Sequence, residues 1–255
     1  KNFIAVHQAQ KGLPYTSAGL RECLMEGAKA FGWKEARARA RGNGTWLRGV
    51  GVAGCLWGYA GGPPSTVIVG LNADGSVILN MGAADIGTGT KTVMAMIVAE
   101  ELGVPLDRIR IEHADTGTTL YSAPSGGSKT VPSDSPAVRA AALDLKSKLL
   151  ELAAEQLKTP VESLELRGGE ISARGGSQKV AIGNLAALRQ QQALVGVGKR
   201  APNPTGKTAR PFAAHFAEVE VNRYTGEIRV LRMVAAQDSG RVLNLLTYRN
   251  QVFGG

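Results

Sequence analysis

Residues 79–103, LNMGAADIGTGTKTVMAMIVAEELG, carry an apolar, strand-like run that ends in glycines and then enters an amphipathic helix. A turn of this kind offers unpaired backbone N–H groups at a helix N-terminus, where the helix dipole attracts anions. A triphosphate loop needs Gly-x-x-x-x-Gly-Lys-Ser/Thr. Gly82 and Gly87 have that separation, but Thr88 stands where the lysine belongs, and Lys91 and Thr92 arrive too late. A dinucleotide fingerprint needs a further glycine after Gly87 and Gly89, and Thr92 occupies its place. Both nucleotide readings fail.

Two other glycine-bearing segments share the character of the first, DIGTGTKT (residues 85–92). They are SAPSGGSKTVPSDSPAV (residues 122–138) and NQVFGG (residues 250–255), and all three read as loops. The first two run into helices. Their small hydroxyl residues, Thr88, Thr90, Ser128 and Thr130, donate to phosphate without adding bulk. Gly126 and Gly127 let backbone approach a flat ligand closely. Metal chemistry on side chains is not indicated. Two cysteines, Cys23 and Cys55, cannot build a zinc site or an iron–sulfur cluster, and His7, His113 and His215 lack ligand spacing. Buried structural roles are expected for all five. Asp85, Asp115 and Asp238 read as turn-capping carboxylates, and no residue is nominated as a catalytic acid or base.

The elements that must carry these loops follow from periodicity. A helix is expected from about 17 to 30. Residues 65–82 alternate apolar residues on both sides of Asn-Ala-Asp-Gly, a hairpin signal. A helix with Val93, Met94, Ile97 and Leu102 on one face comes next, then a strand over 107–115. Ser135 as N-cap and Pro136 at the first helical position open a long helix, with a buried stripe of Val138, Ala142, Leu145, Leu149 and Leu152. A second hairpin turns at Gly168 and Gly169, a weaker helix covers 182–190, and a third hairpin turns at 224–226. Residues 49–62 read as a buried strand. The first and third hairpins are alike: Ala84-Asp85-Ile86-Gly87 lines up with Gln237-Asp238-Ser239-Gly240. The chain is therefore expected to be α+β, mixed sheets of β-hairpins with packed helices and an internal duplication of a hairpin–loop–helix unit.

At 255 residues, with 44% hydrophobic residues and 33 glycines, the chain has ample material for a core. It shows no membrane span and no signal peptide, and it opens on Lys1, so it reads as a piece of something longer. The net charge of +9 raises nucleic-acid binding as an alternative. Much of the excess lies in residues 34–48 and 198–211, which carry no recognisable nucleic-acid motif; the second is rich in proline and glycine, as a surface loop is. No nucleic-acid partner is expected.

The order and spacing of these blocks resemble the molybdopterin-binding large subunit of the molybdenum hydroxylases, the xanthine oxidase and aldehyde oxidoreductase family. DGSVILNMGAADIGTGTKTVMAMIVAEELGVPLDRIRI is similar to the family's first cofactor segment, SAPSGGSKT to its second, and AEVEVNRYTGEIRVLRMVAAQDSGRVLN with QVFGG to its third. The N-terminal GLPYTSAGLRECLMEGAKAFGW fits as well. The resemblance implies cofactor contacts at Ile86, Gly87, Thr88, Gly89, Gly126, Gly127, Ser128, Lys129, Thr130, Gln251 and Gly254. It implies no protein ligand to the metal, which the pterin's sulfurs hold. It further implies a first cofactor-binding lobe over 1–174, a basic Gly/Pro-rich surface loop over 175–210, and the start of a truncated second repeat over 211–255. GTGT with GGS is closer to bacterial aldehyde oxidoreductases than to xanthine dehydrogenases, and Thr88 in place of glutamine weakens a purine substrate. The implied cofactor is molybdenum–molybdopterin in its cytosine dinucleotide form, with a second anion site at 133–136. Iron–sulfur clusters and FAD are expected on an iron–sulfur subunit and an FAD subunit, with an aldehyde-type substrate. The family's general base, a glutamate in a Gly-Glu motif, is expected beyond residue 255, so the chain alone is expected to be inactive. Cytoplasm and periplasm both stay open.

Overall fold

The computed structural model describes residues 6–7, 12–40, 42, 44–58, 61–190 and 194–254. In chain order the first elements are β1 (Val6–His7), β2 (Leu13–Pro14), α1 (Leu20–Phe31), α2 (Trp33–Arg39), β3 (Trp46–Leu56), β4 (Thr66–Leu71), β5 (Val77–Met81) and α3 (Thr90–Leu102). Then come β6 (Ile109–His113), α4 (Thr130–Leu157), β7 (Leu164–Arg167), β8 (Glu170–Ala173), β9 (Lys179–Ala181) and α5 (Ala186–Arg189). The last are β10 (Leu194–Lys199), β11 (Phe212–Asn222), β12 (Ile228–Asp238) and α6 (Leu245–Gly254). The chain forms two compact units, 1–60 with 204–255 in one and 61–203 in the other. Among the described residues no helix is long and apolar enough to cross a membrane.

The unit of residues 61–203 is built on a four-stranded sheet in the order β10-β4-β5-β6. β4 and β5 alternate buried and half-buried residues and pair antiparallel across the Asn72–Gly75 turn. α3 crosses over to β6, which pairs parallel with β5, as a strand–helix–strand unit requires. Val67, Val69, Leu79 and Met81 from the sheet meet Met94, Val98 and Leu102 of α3 and Val138, Leu145 and Leu149 of α4. β10 lies against α4 because it carries Gly196 and Gly198 two residues apart, on one face of the strand. A Cβ at Gly196 would stand 2.1 Å from the Ala141 carbonyl oxygen, and one at Gly198 would stand 2.0 Å from that of Ala137. β7 and β8 turn at Gly168 and Gly169, whose φ values of 59° and 72° match the two-residue hairpin expected there.

The long helix differs from expectation at its start. It begins at Thr130, so Pro136 lies inside it and Ser135 is not its cap. Pro136 has no N–H to give the Pro132 carbonyl four residues back. The guanidinium Nε of Arg200, which follows β10, donates to that carbonyl at 3.2 Å instead. A contact 68 residues away in sequence thus rescues a helix that local rules would start later. The weaker helix over 182–190 is a 3₁₀ turn at Ile182–Asn184 followed by the short α5. Within 175–210, β9, α5 and β10 precede residues 200–211, which hold neither helix nor strand.

The other unit holds an antiparallel sheet in the order β12-β11-β3, with α1 across one face. Phe31, Cys23, Ala214 and Phe216 are buried there. Glu218, 5% exposed, sits within 3.7 Å of Arg48 and 3.4 Å of Arg232. Residues 49–62 depart from the buried strand expected of them: β3 is an edge strand whose residues 51–56 are exposed, Cys55 included. β3 has a single strand neighbour, β11. Cys23 is buried as expected, His113 and His215 are half-buried, and the side chain of His7 lies outside the described residues. Segment 250–255 is not a loop. Through Gly254 it completes α6, because the Asn244 side chain accepts the N–H groups of Leu246 and Thr247 at 3.1 and 3.3 Å as an N-cap. Gly255 lies outside the described residues. The hairpin–loop–helix unit therefore occurs twice, as β4–β5–α3 and as β11–β12–α6.

Two outcomes test this account. Gly198→Ala should destabilise the protein by about 3 kcal/mol, since neither helix nor strand backbone can give way; chemical unfolding measures it. Arg200→Leu should speed hydrogen exchange in the first two turns of α4, at a cost of about 1 kcal/mol. Adding Pro136→Ala, which restores the missing donor, should recover most of that protection.

Candidate functional site

The first loop, 82–89, leaves β5 at Gly82, where a Cβ would stand 2.1 Å from the Leu120 carbonyl oxygen. Its carboxylate turns inward. Asp85 accepts the N–H groups of Gly87 at 3.0 Å, Gly89 at 3.2 Å and Lys91 at 3.1 Å. Burial would push this carboxyl up, but those N–H groups and the Lys91 charge outweigh it and hold the group below the usual carboxylate range. Gly87 and Gly89 take φ values of 91° and 78° to make the turn. The N–H groups that looked ready for an anion are therefore largely taken by the chain itself. Thr88 and Thr90 share a hydroxyl–hydroxyl hydrogen bond of 3.0 Å, with Thr90 buried, while Ile86 is 66% exposed.

Asp238 does the same work in the second copy of the motif. It accepts the N–H of Gly240 at 3.1 Å, two residues on, as Asp85 does from Gly87. It also accepts the Gly19 N–H at 2.8 Å and the Ser17 hydroxyl at 3.0 Å, which ties the loop to the start of α1. Burial would raise its pKa, but these bonds outweigh that effect and hold the group below the usual carboxylate range. Asp115 accepts the Gly117 N–H at 2.8 Å. All three aspartates are turn caps.

The second loop is built differently. Its hydroxyl of Ser125 donates to the Ala84 carbonyl at 2.7 Å, so the structure brings the first and second loops together. Gly127 and Ser128 both have positive φ, 62° and 55°, and Ser128 is a serine in a conformation that favours glycine. Gly126 has no such φ, and a Cβ at Gly126 or Gly127 would meet nothing within 4 Å. The first backbone bond of α4 runs from the Ser133 N–H to the Lys129 carbonyl. The N–H groups of Thr130 and Val131 thus precede the helical ladder, beside the Ser128 and Thr130 hydroxyls and Lys129. That is the geometry of an anion site at a helix N-terminus.

The expected second anion site at 133–136 is not there. Ser133 and Asp134 are 1% and 0% exposed and lie inside α4. The Ser133 hydroxyl accepts the Gly62 N–H at 3.3 Å, and Asp134 accepts the Ser65 hydroxyl at 2.6 Å. A buried carboxyl would repel an anion. Sequence reading had no signal for the inward role of Asp134, since polar residues between two prolines read as a loop. Gln251 and Gly254 are exposed on α6, in the other unit, where the described residues bury none of the helix. No cluster of metal-ligating side chains occurs among the described residues.

A molybdopterin cofactor-binding domain model matches residues 25–255. The molybdenum-binding subunit of an aldehyde oxidoreductase from Escherichia coli K12 is 34% identical over 238 residues, covering 91% of this chain and 31% of that protein. A xanthine dehydrogenase molybdenum-binding subunit from Escherichia coli O157:H7 is 33% identical over 249 residues, covering 94% and 33%. Among solved structures, a reconstituted CO dehydrogenase from Oligotropha carboxidovorans superposes with a TM-score of 0.85 at 25% identity, over 99% of this chain and 35% of the other. The aldehyde oxidoreductase of Desulfovibrio desulfuricans shares the fold, with a TM-score of 0.72 at 24% identity over 96% and 26%. The chain spans about a third of the length of the curated relatives it matches.

The Asp85 geometry has a pH consequence. A carboxyl whose pKa is lower in the fold adds stability above its unfolded pKa, about 3.9, and loses it as pH falls through the folded value. Protection of the Gly87, Gly89 and Lys91 amides, measured by NMR exchange against intrinsic rates, should therefore fall below about pH 4. In Asp85→Asn it should be weaker and independent of pH over the same interval.

Proposed function

The chain belongs to the molybdopterin cofactor-binding domain family found in aldehyde oxidoreductase and xanthine dehydrogenase molybdenum subunits, and from that premise we propose that its second loop holds the phosphate end of the cofactor. Ser128 and Thr130 would donate hydroxyls, and the N–H groups of Thr130 and Val131 and the charge of Lys129 would complete the anion site. Ile86, Gly87, Thr88 and Gly89 would lie along the pterin. Gln251 and Gly254 are the contacts that the resemblance implies for the other unit.

The observation that carries this reading is Gly126. Its φ lies outside the left-handed region and a side chain there would meet open space, so neither conformation nor packing within the chain requires glycine. A flat ligand approaching the loop would require it. When bound, the cofactor supplies a metal centre able to accept the two electrons released as an aldehyde becomes an acid with oxygen from water. This chain's residues bind and orient it. Asp85, Asp115 and Asp238 are committed to backbone N–H groups, so we assign none of the three as the reaction's base. With identities of 34% and 33% to the two kinds of relative, the preference for an aldehyde rests on Thr88 and the Gly-Gly-Ser run. The relatives are named as subunits, which supports partner subunits here, and we assign iron–sulfur clusters and FAD to them and the cytosine dinucleotide form to the cofactor.

Gly126→Val tests the reading without the strain that positive φ would bring at Gly127. In the complete subunit with its partners, thermal stability and circular dichroism should be unchanged, while aldehyde turnover falls about a hundredfold. Metal analysis and acid-released fluorescent pterin on the same preparation show whether the cofactor is displaced or misplaced. A well-folded Gly126→Val subunit with full turnover would remove this loop from the site.

A further inference from the structure

Among the described residues of its unit, Asp134 is the most fully buried carboxyl, at 0% exposure, and none of the chemistry above uses it. One carboxylate oxygen accepts the Ser65 hydroxyl at 2.6 Å, and the other, Oδ2, has no hydrogen-bond partner among the described residues. The Ser65 hydroxyl also lies 3.4 Å from that of Ser122, and the two residues form an antiparallel bridge. Alongside them the Thr66 N–H donates to the Tyr121 carbonyl at 3.1 Å, and the Arg200 N–H to the Ser65 carbonyl at 2.9 Å. Ser122 opens the second loop and Asp134 lies just past its end. Both ends are therefore fastened to one serine at the entry of β4.

A carboxyl placed here is costly. Desolvation penalises it, and an unpartnered buried oxygen adds to the penalty. Burial pushes its pKa up, and the hydrogen bond from the Ser65 hydroxyl opposes that rise. An alanine or leucine would fill the same position of α4 without that cost, so the gain must come from the specific tie to Ser65. We propose that Asp134, acting through Ser65 and Ser122, is a positioning residue that closes the base of the second loop and so sets Ser128 and Thr130 for the cofactor's phosphate. The functional half rests on the cofactor reading above; the staple itself does not.

Between the two ends of the loop, Ser128 holds a φ of 55°, in the left-handed region that favours glycine. A loop closed at its base holds such a conformation, whereas an open one relaxes out of it. Loss of a bond to a buried carboxyl should loosen the loop rather than unfold α4, whose Val138, Leu145 and Leu149 stay packed.

The test uses the complete subunit with its partners. Asp134→Ala removes the acceptor, Asp134→Asn keeps one, and Ser65→Ala removes only a hydroxyl and so guards against a failure to fold. Exchange by mass spectrometry over 123–129 reads the loop, and molybdenum retained after dilution reads the cofactor. Asp134→Ala and Ser65→Ala should each raise loop exchange and speed molybdenum loss about tenfold, without adding in the double variant. Asp134→Asn should restore most of both, which a space-filling role would not predict. Unchanged loop exchange in Ser65→Ala and Asp134→Ala would overturn the staple. A loosened loop with wild-type molybdenum retention would leave the staple standing and overturn its link to the cofactor, whereas failure of the cofactor reading itself is read separately from Gly126→Val.

Discussion

The architecture of residues 61–203 depends on how closely β10 and α4 approach. Gly196 and Gly198 leave no side chain between strand and helix backbones, so α4 lies where any larger residue would push it off. That placement decides more than packing. It brings Arg200, at the exit of β10, to the Pro132 carbonyl that Pro136 leaves without a donor, and so allows the helix to begin at Thr130. Had the helix begun after Pro136, no amides would end at Ser128–Thr130. The anion geometry of the second loop is thus a consequence of two glycines some seventy residues away.

The two loops of this unit show two ways of treating unpaired N–H groups before a helix. In the first loop the chain supplies its own anion, Asp85, and the amides are satisfied internally. In the second, no side-chain cap is seen at the helix start among the described residues, and Asp134 faces inward to Ser65. An internal carboxylate makes a turn rigid, whereas a helix start without a side-chain cap keeps N–H groups directed outward. The Ser125 to Ala84 bond holds the two loops side by side.

The glycines divide by what demands them. Gly82, Gly196 and Gly198 are required by neighbouring backbone, and Gly87, Gly89 and Gly127 by positive φ. Gly126 answers to neither, which is why it points outside the chain for its reason.

Sequence by itself determined the elements whose signals are local. The Asn-Ala-Asp-Gly and Gly-Gly turns, the alternation of β4 and β5, the stripe of α4 and the paired Asp-x-Gly caps were legible because each is set by residues within a few positions. The order of the three glycine-bearing segments was enough to indicate the family. Tertiary structure decided the rest. The start of α4 depended on Arg200, which no local rule connects to Pro136. Asn244 turned a glycine-rich tail into a helix, since a cap outweighs the low propensity of a terminal glycine. Cys55 and its strand stayed exposed because burial depends on neighbours, and the sequence of a strand does not say whether a second element covers it. Asp134 looked like loop polarity and proved to be the most inward carboxyl of its unit, because only the fold places Ser65 beside it.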